Sequence, residues 1–208
     1  MTRSFVIVGT DTGVGKTVFS AALVGALGAY YWKPVQSGLE EETDSECVAR
    51  LSGVAPARIL AEAWRLKLPA SPHISARAEG VEIDLSRLAP PVVDGPLVIE
   101  TAGGVMVPLT DDALTIDVLA RWRLPVILVA RTALGTINHS LLTIEALRRR
   151  DIPIHGVAFM GDEEKAPQET IARIGAVKQL GRLPRLGMLD RETLRAAFSA
   201  SFSLTDFT

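Results

Sequence analysis

Short apolar runs bounded by turn residues recur along the chain, and helical patterns separate them. Residues 5–8, 97–99, 126–129 and 154–159 form the clearest runs, with a shorter one at 29–32 and a weak one at 179–183. Residues 16–27, 114–122, 136–150 and 166–178 carry the spacing of helices. Continuous apolar strands alternating with helices predict an α/β fold, a mostly parallel β-sheet with helices on both faces. Right-handed crossovers place every strand's C-terminal end on one edge, where such sheets bind ligands. Segments 9–17, 33–38, 100–104, 131–138 and 160–162 follow the strands, so they should converge in space. No repeat, linker or low-complexity stretch interrupts the pattern, and residues 1–208 read as a single domain.

Composition narrows this picture. Hydrophobic residues make up 48% of the chain but aromatics only 5%, so core volume must come from Val, Leu, Ile and Ala. A formal net charge of -2 implies no basic face for nucleic acid. The run Arg148-Arg149-Arg150 ends a predicted helix and reads as a solvated helix end. The single cysteine, Cys47, rules out an internal disulfide and suits a reducing cytoplasm. Acidic neighbours at 40–46 should raise its thiol pKa and leave it inert. No signal peptide or bilayer-length apolar stretch is visible, so the expected location is cytoplasmic, without a membrane partner. His155 lies in an apolar strand and reads as a core histidine; His73 and His139 lack metal-ligand spacing with it.

The first strand runs into Gly9-Thr10-Asp11-Thr12-Gly13-Val14-Gly15-Lys16-Thr17, which opens the first helix. Such a loop turns backbone N–H groups and a helix N-terminus toward an anion. Lys16 would reach the β- and γ-phosphates of a nucleotide, and the Thr17 hydroxyl would bind Mg²⁺. The leading glycine stands one residue earlier than the strict pattern has it. The strand–loop–helix context favours a nucleotide site and a P-loop NTPase fold over an ordinary glycine turn.

This loop, with its threonines and aspartate, resembles that of the dethiobiotin synthetase family. Trp32-Lys33-Pro34-Val35-Gln36-Ser37-Gly38 resembles the family's second motif, and Asp44 falls where it places a metal-binding aspartate. Ser71-Pro72-His73, Glu100-Thr101-Ala102-Gly103-Gly104 and Leu134-Gly135-Thr136-Ile137-Asn138-His139 resemble further family segments, in the family's order. The resemblance implies an ATP- and Mg²⁺-dependent ligase of biotin biosynthesis that acts on 7,8-diaminononanoate and CO₂ as a homodimer. Lys33 and Lys16 would be its catalytic cations, and Thr17, Asp44 and Glu100 its metal ligands. The nucleotide would lie on Gly13, Val14, Gly15, Lys16, Thr17, Val18, Asp44, Glu100, Thr101, Ala102 and Gly103. On the base side it would meet Gly161, Leu183 and Pro184. Thr12, Ser37 and Gly103 would meet the diamine or its carbamate. Gly135, Thr136 and Asn138 would take the substrate carboxylate at a helix N-terminus, from the neighbouring subunit.

Two positions depart from the family pattern. Thr101 stands where several members have glycine, and a β-branched residue disfavours positive φ and close backbone approach. Residues 159–162, Phe-Met-Gly-Asp, stand where other members carry Asn-Asp to read adenine. CTP or another triphosphate therefore remains open beside ATP. Two relatives of similar fold fit less well. A cobyrinic-acid amidotransferase synthetase would need a glutaminase domain, for which 208 residues leave no space. A partitioning ATPase would carry an earlier loop lysine and a stronger amphipathic tail than residues 196–208 offer.

Overall fold

The computed structural model describes residues 4–208. In chain order its regular elements are β1 (Ser4–Gly9), α1 (Lys16–Leu27), β2 (Tyr30–Trp32), β3 (Val35–Ser37), α2 (Asp44–Ser52), β4 (Ile59–Leu60), β5 (Trp64–Leu66) and α3 (Pro72–Ala78). They continue as β6 (Leu97–Gly104), α4 (Thr115–Trp122), β7 (Val126–Arg131), α5 (Thr136–Arg148), β8 (Ile154–Met160), α6 (Lys165–Ile174), β9 (Gln179–Leu183) and α7 (Arg191–Ser201). The main sheet has seven strands in the order β4-β2-β6-β1-β7-β8-β9. Every pairing within it is parallel.

Alternation along β1 explains why it lies at the centre. Phe5 and Ile7 face one core cluster with α1, α2 and α7, while Val6 and Val8 face another with α4, α5 and α6. All four are essentially inaccessible. Each such side chain contributes about 1.5–3 kcal/mol relative to an exposed position. A strand apolar on both sides has no stable place except between two helix layers.

A two-stranded sheet of β3 and β5 stands beside the main one. Val35 and Leu66 pack there with Ala76 of α3, and with Leu88, Leu109 and Val118. This small third core walls one side of the ligand edge. Its strands are too short to carry a period, and neither they nor α2, α3 and α7 were expected from hydrophobic patterning. The two C-terminal helices of the expected set are shorter than predicted: α5 stops at Arg148, and α6 at Ile174. Residues 196–208 are not a loose amphipathic tail. Phe198, Phe202 and Phe207 are buried, and Phe207 meets Phe5 of β1 edge-on at 6.0 Å between ring centroids. His155, expected in the core, is only half-buried; its ring is held by a contact of 2.7 Å between Nε2 and the Asp206 carbonyl.

Candidate active site

The phosphate loop leaves β1 between its two neighbours, β6 and β7, and ends at Gly15, the residue before α1. Gly15 has φ +96°, and a β-carbon there would meet Met160 Cε at 2.9 Å, so only glycine fits. No side chain caps α1 and no acid occupies its first turn. Its free N–H groups and dipole are therefore available to an anion. Lys16 folds back over the loop, its Nζ donating to the Asp11 carbonyl at 3.0 Å. Burial holds the Lys16 ammonium below its ordinary pKa, although Glu100 opposes the shift; the Lys33 charge adds to it.

Lys33 follows β2, and Pro34 fixes the backbone after it. The Lys33 Nζ meets Asp44 Oδ2 at 2.6 Å, Glu100 Oε1 at 3.3 Å and the Thr101 carbonyl at 3.3 Å. Its three N–H donors are thus all used. Burial alone would lower the Lys33 pKa, but Glu100 and then Asp44 outweigh it and hold the ammonium above its ordinary value. Glu100 is wholly buried, and its second oxygen accepts from the Tyr31 hydroxyl at 3.1 Å. Thr17 Oγ1 lies 2.6 Å from Asp44 Oδ1 and 3.0 Å from Glu100 Oε1, one proton serving both. Two lysines and two carboxylates balance in charge around that hydroxyl. A hydroxyl and two carboxylates gathered at one point are the hard oxygen donors that Mg²⁺ takes.

Asp44 owes its place to α2 rather than to the acidic stretch before it. Thr43 caps the helix: its N–H donates to Glu46 Oε2 at 2.8 Å, and its hydroxyl accepts from the Glu46 N–H at 3.3 Å. That capping box makes Asp44 the first helical residue. The other acids of the stretch, Glu40, Glu41 and Glu42, are exposed.

These groups line a cleft of about 590 Å³, together with Thr12, Ser37, Ala102 and Gly103. Pro69, Ala70, Ser71 and Pro72 form its far wall. A second cleft of about 730 Å³ shares Gly13, Gly15 and Val18 with the first. It also holds Val14, Gly161, Leu183 and Pro184, and adds Arg131, Met160, Asp162 and Arg185. Its lining includes no asparagine or glutamine side chain. The Gly161 N–H is spent on the Leu183 carbonyl at 3.0 Å, and the Gly161 carbonyl accepts from Arg182 at 2.8 Å. Arg185 and Asp162 form an exposed ion pair at 3.4 Å.

Sequence reasoning and structure part company at a few positions. Thr101, expected on the nucleotide, lines neither cleft: its side chain is buried and its hydroxyl donates to the Ile7 carbonyl at 3.3 Å. The β-branched residue is therefore tolerated, because it packs into a strand. The expected glycine-rich loop after Glu100 is itself strand, since β6 runs on to Gly104. Gly135, Thr136 and Asn138 are at the start of α5, outside both clefts of this chain. His73 lines a separate groove with Arg77 and Asp111. Tyr31 and Gln36 were not anticipated. For Tyr31 the available signal was a hydroxyl within an apolar run; for Gln36, in the three-residue strand Val35-Gln36-Ser37, there was none of that kind.

A phosphate loop on the central strand of a parallel sheet, with Glu100 on the adjacent strand and Lys33 following the next, defines a P-loop nucleotide-binding protein. Residues 3–193 match the AAA domain family. The fold is also similar to a ParA family ATPase from Chlorobium tepidum (TM-score 0.57, 12% identity, 96% of this chain and 91% of that one). MinD of Aquifex aeolicus is comparable (TM-score 0.53, 14% identity, 94% and 87% covered). Closer in sequence is the ATP-dependent dethiobiotin synthetase of Agrobacterium fabrum, 64% identical over all of this chain and 98% of its own length. The enzyme of that name from Rhodopseudomonas palustris strain BisB18 is 61% identical, with both chains covered fully. The chain belongs to the dethiobiotin synthetase family.

Proposed function

We propose that this chain closes the ureido ring of dethiobiotin from 7,8-diaminononanoate, CO₂ and ATP, as a homodimer in the cytoplasm. One amine of the diamine takes up CO₂ to form a carbamate. The carbamate oxygen then accepts the γ-phosphoryl group, releasing ADP and giving a carbamic–phosphoric anhydride. The second amine attacks the carbonyl carbon, phosphate leaves, and the ring is closed. Negative charge gathers on the carbamate and on the phosphoryl group in flight, so preorganised cations are what the site must supply.

The observation that carries this reading is the pair of buried ammonium groups, Lys16 and Lys33, on one cleft with Thr17, Asp44 and Glu100. Lys16 sits at the helix end that would receive the β- and γ-phosphates. Lys33, tied to Asp44 and Glu100, is held where the carbamate would meet the γ-phosphate. Mg²⁺ would be held by Thr17, Asp44 and Glu100, and it would neutralise charge on the phosphate oxygens. Ser37 has a buried hydroxyl without a hydrogen-bond partner beside the cleft. It suits the diamine or its carbamate. Gly135 and Asn138 are exposed at the start of α5, where they would bind the carboxylate of a substrate held in the second subunit's cleft.

The test is to incubate the protein with diaminononanoate, bicarbonate, Mg²⁺ and each triphosphate in turn, and to follow dethiobiotin by mass. Product should require the diamine, bicarbonate and a triphosphate together. Triphosphate hydrolysis that proceeds equally well without diamine, with no dethiobiotin formed, would overturn the reading in favour of a switch ATPase.

A further inference from the structure

Gln36 is a buried amide with no role in the chemistry above, yet it joins the two halves of the site. It is the middle residue of β3 and is 7% exposed, on the wall of the charged cleft. Its Nε2 donates to the carbonyls of Ser37 and Gly38, both at 3.2 Å. Its Oε1 accepts from the Asp44 N–H at 3.3 Å. That N–H is one of the first-turn donors of α2 that no helical carbonyl can reach. One side chain thus spans the foot of the exposed acidic loop between β3 and α2.

Both ends of this span matter. On one side is Ser37, with its unpartnered hydroxyl, followed by Gly38 at φ +88°. A β-carbon on Gly38 would crowd Pro69 at 3.1 Å, so this turn is pressed against the far wall of the cleft. On the other side is Asp44, whose carboxylate is engaged by Thr17 and Lys33, both at 2.6 Å. Without the amide, six loop residues would link the two, and three of these, Glu40, Glu41 and Glu42, are exposed acids that repel one another.

We infer that Gln36 is a positioning residue: its amide clasps the loop between β3 and α2 and sets the Asp44 carboxylate against the Ser37 wall. The diamine side and the phosphate side of the cleft are thereby held in one register. The inference rests on the function proposed above for its substrate half. Its metal half stands apart from it.

Two variants test the clasp, each assayed for turnover and for Mn²⁺ binding by electron paramagnetic resonance with a non-hydrolysable ATP analogue. Gln36→Leu keeps the volume and loses all three hydrogen bonds. Its Mn²⁺ affinity should fall about 10-fold and its diamine KM should rise by a similar factor, because supports of ligating residues act on that scale. Gln36→Glu keeps the acceptor for the Asp44 N–H but has no N–H for the Ser37 and Gly38 carbonyls. It should raise the diamine KM about 10-fold while Mn²⁺ affinity stays within about 2-fold of wild type. A merely structural residue would lower the melting temperature and the active fraction, with KM and Mn²⁺ affinity unchanged in the folded protein. That outcome in Gln36→Leu, or in Gln36→Glu should the leucine variant be insoluble, overturns the clasp. If wild type makes no dethiobiotin, the reaction fails as a reading, and the Mn²⁺ arm still decides the role of Gln36.

Discussion

The two clefts that share the phosphate loop are made of different materials. The first is lined by buried charge: Lys33, Glu100 and Lys16 are almost inaccessible, and each polar atom of Lys33 and Glu100 has named partners. The second mixes Met160, Leu183, Pro184 and Leu186 with Arg131, Asp162, Glu164 and Arg185, and its charge is at the surface: the Arg185–Asp162 ion pair is exposed. Exposed pairs contribute little, about 0–1 kcal/mol. Geometry in the first cleft is therefore set by buried partners, whereas the charged groups of the second are held only loosely at the surface. The difference teaches where this molecule invests its order: around the buried lysines and carboxylates, and much less along the second cleft.

The widest gap between the clefts should appear on removing a buried cation. Lys33→Gln should lower kcat by about 10³-fold, the scale on which single preorganised charges act, and Lys16→Ala should do the same. Dethiobiotin formation measured by mass checks both, and turnover within ten-fold of wild type would erase the contrast. Asp44→Asn comes next, with a fall of about 10²-fold in turnover and a matching rise in the Mg²⁺ needed for half-maximal rate.

The same variant tests the electrostatics through pH. Burial would raise the Asp44 pKa, but Lys33 outweighs it, by its charge and by a hydrogen bond, and holds the carboxyl below its ordinary value of 3.8. A depressed folded-state pKa stabilises the protein above the unfolded-state value, and that stability is lost as pH falls through the folded one. Acid unfolding of wild type should therefore steepen below about pH 4, and Asp44→Asn should flatten that limb in a thermal-melt series.

Exchanging the base should matter less than either charge. A site built to hydrogen-bond a group rejects an analogue lacking it by about 10⁴-fold, and the side chains lining the second cleft include no amide to read a base edge in that way. ATP, CTP and GTP should thus support kcat/KM values within about 10²-fold of one another. A larger preference for ATP would show that the second cleft is as ordered as the first. Smallest of all is the thiol: burial, and then Glu42, push Cys47 up to about 11. Alkylation at neutral pH should be slow, and Cys47→Ala should leave turnover within about 2-fold of wild type.

Most of the first cleft was legible in the sequence because its residues follow long buried strands. Lys16 opens the helix after β1, Lys33 directly follows β2 and Glu100 lies within β6, and the α/β alternation brings all three toward one edge. Asp44 was legible only through the family resemblance, since its capping box lies inside an acidic run that reads equally well as a solvated face. The strands β3, β4 and β5 were not visible: two or three residues hold less than one full alternation. The glycine-rich stretch after Glu100 reads as loop, yet pairing of β6 with β1 continues to Gly104 and seats the Thr101 side chain inside a strand. The clasp at Gln36 depends on contacts eight residues apart across a loop, which no local pattern encodes.

The seating of β1 has a bearing on how the molecule comes into being. Ile7 pairs with Glu100 on one side and with Ile127 on the other, so the strand that launches the phosphate loop has no close neighbour in sequence. Such distant pairing makes assembly slow, since long stretches of chain must be closed before any contact rewards them. On a ribosome, β1 must wait until β7 has emerged, and its apolar residues need shelter meanwhile. Nascent fragments stopped before residue 126 should fail to retain nucleotide, however complete their glycine loop.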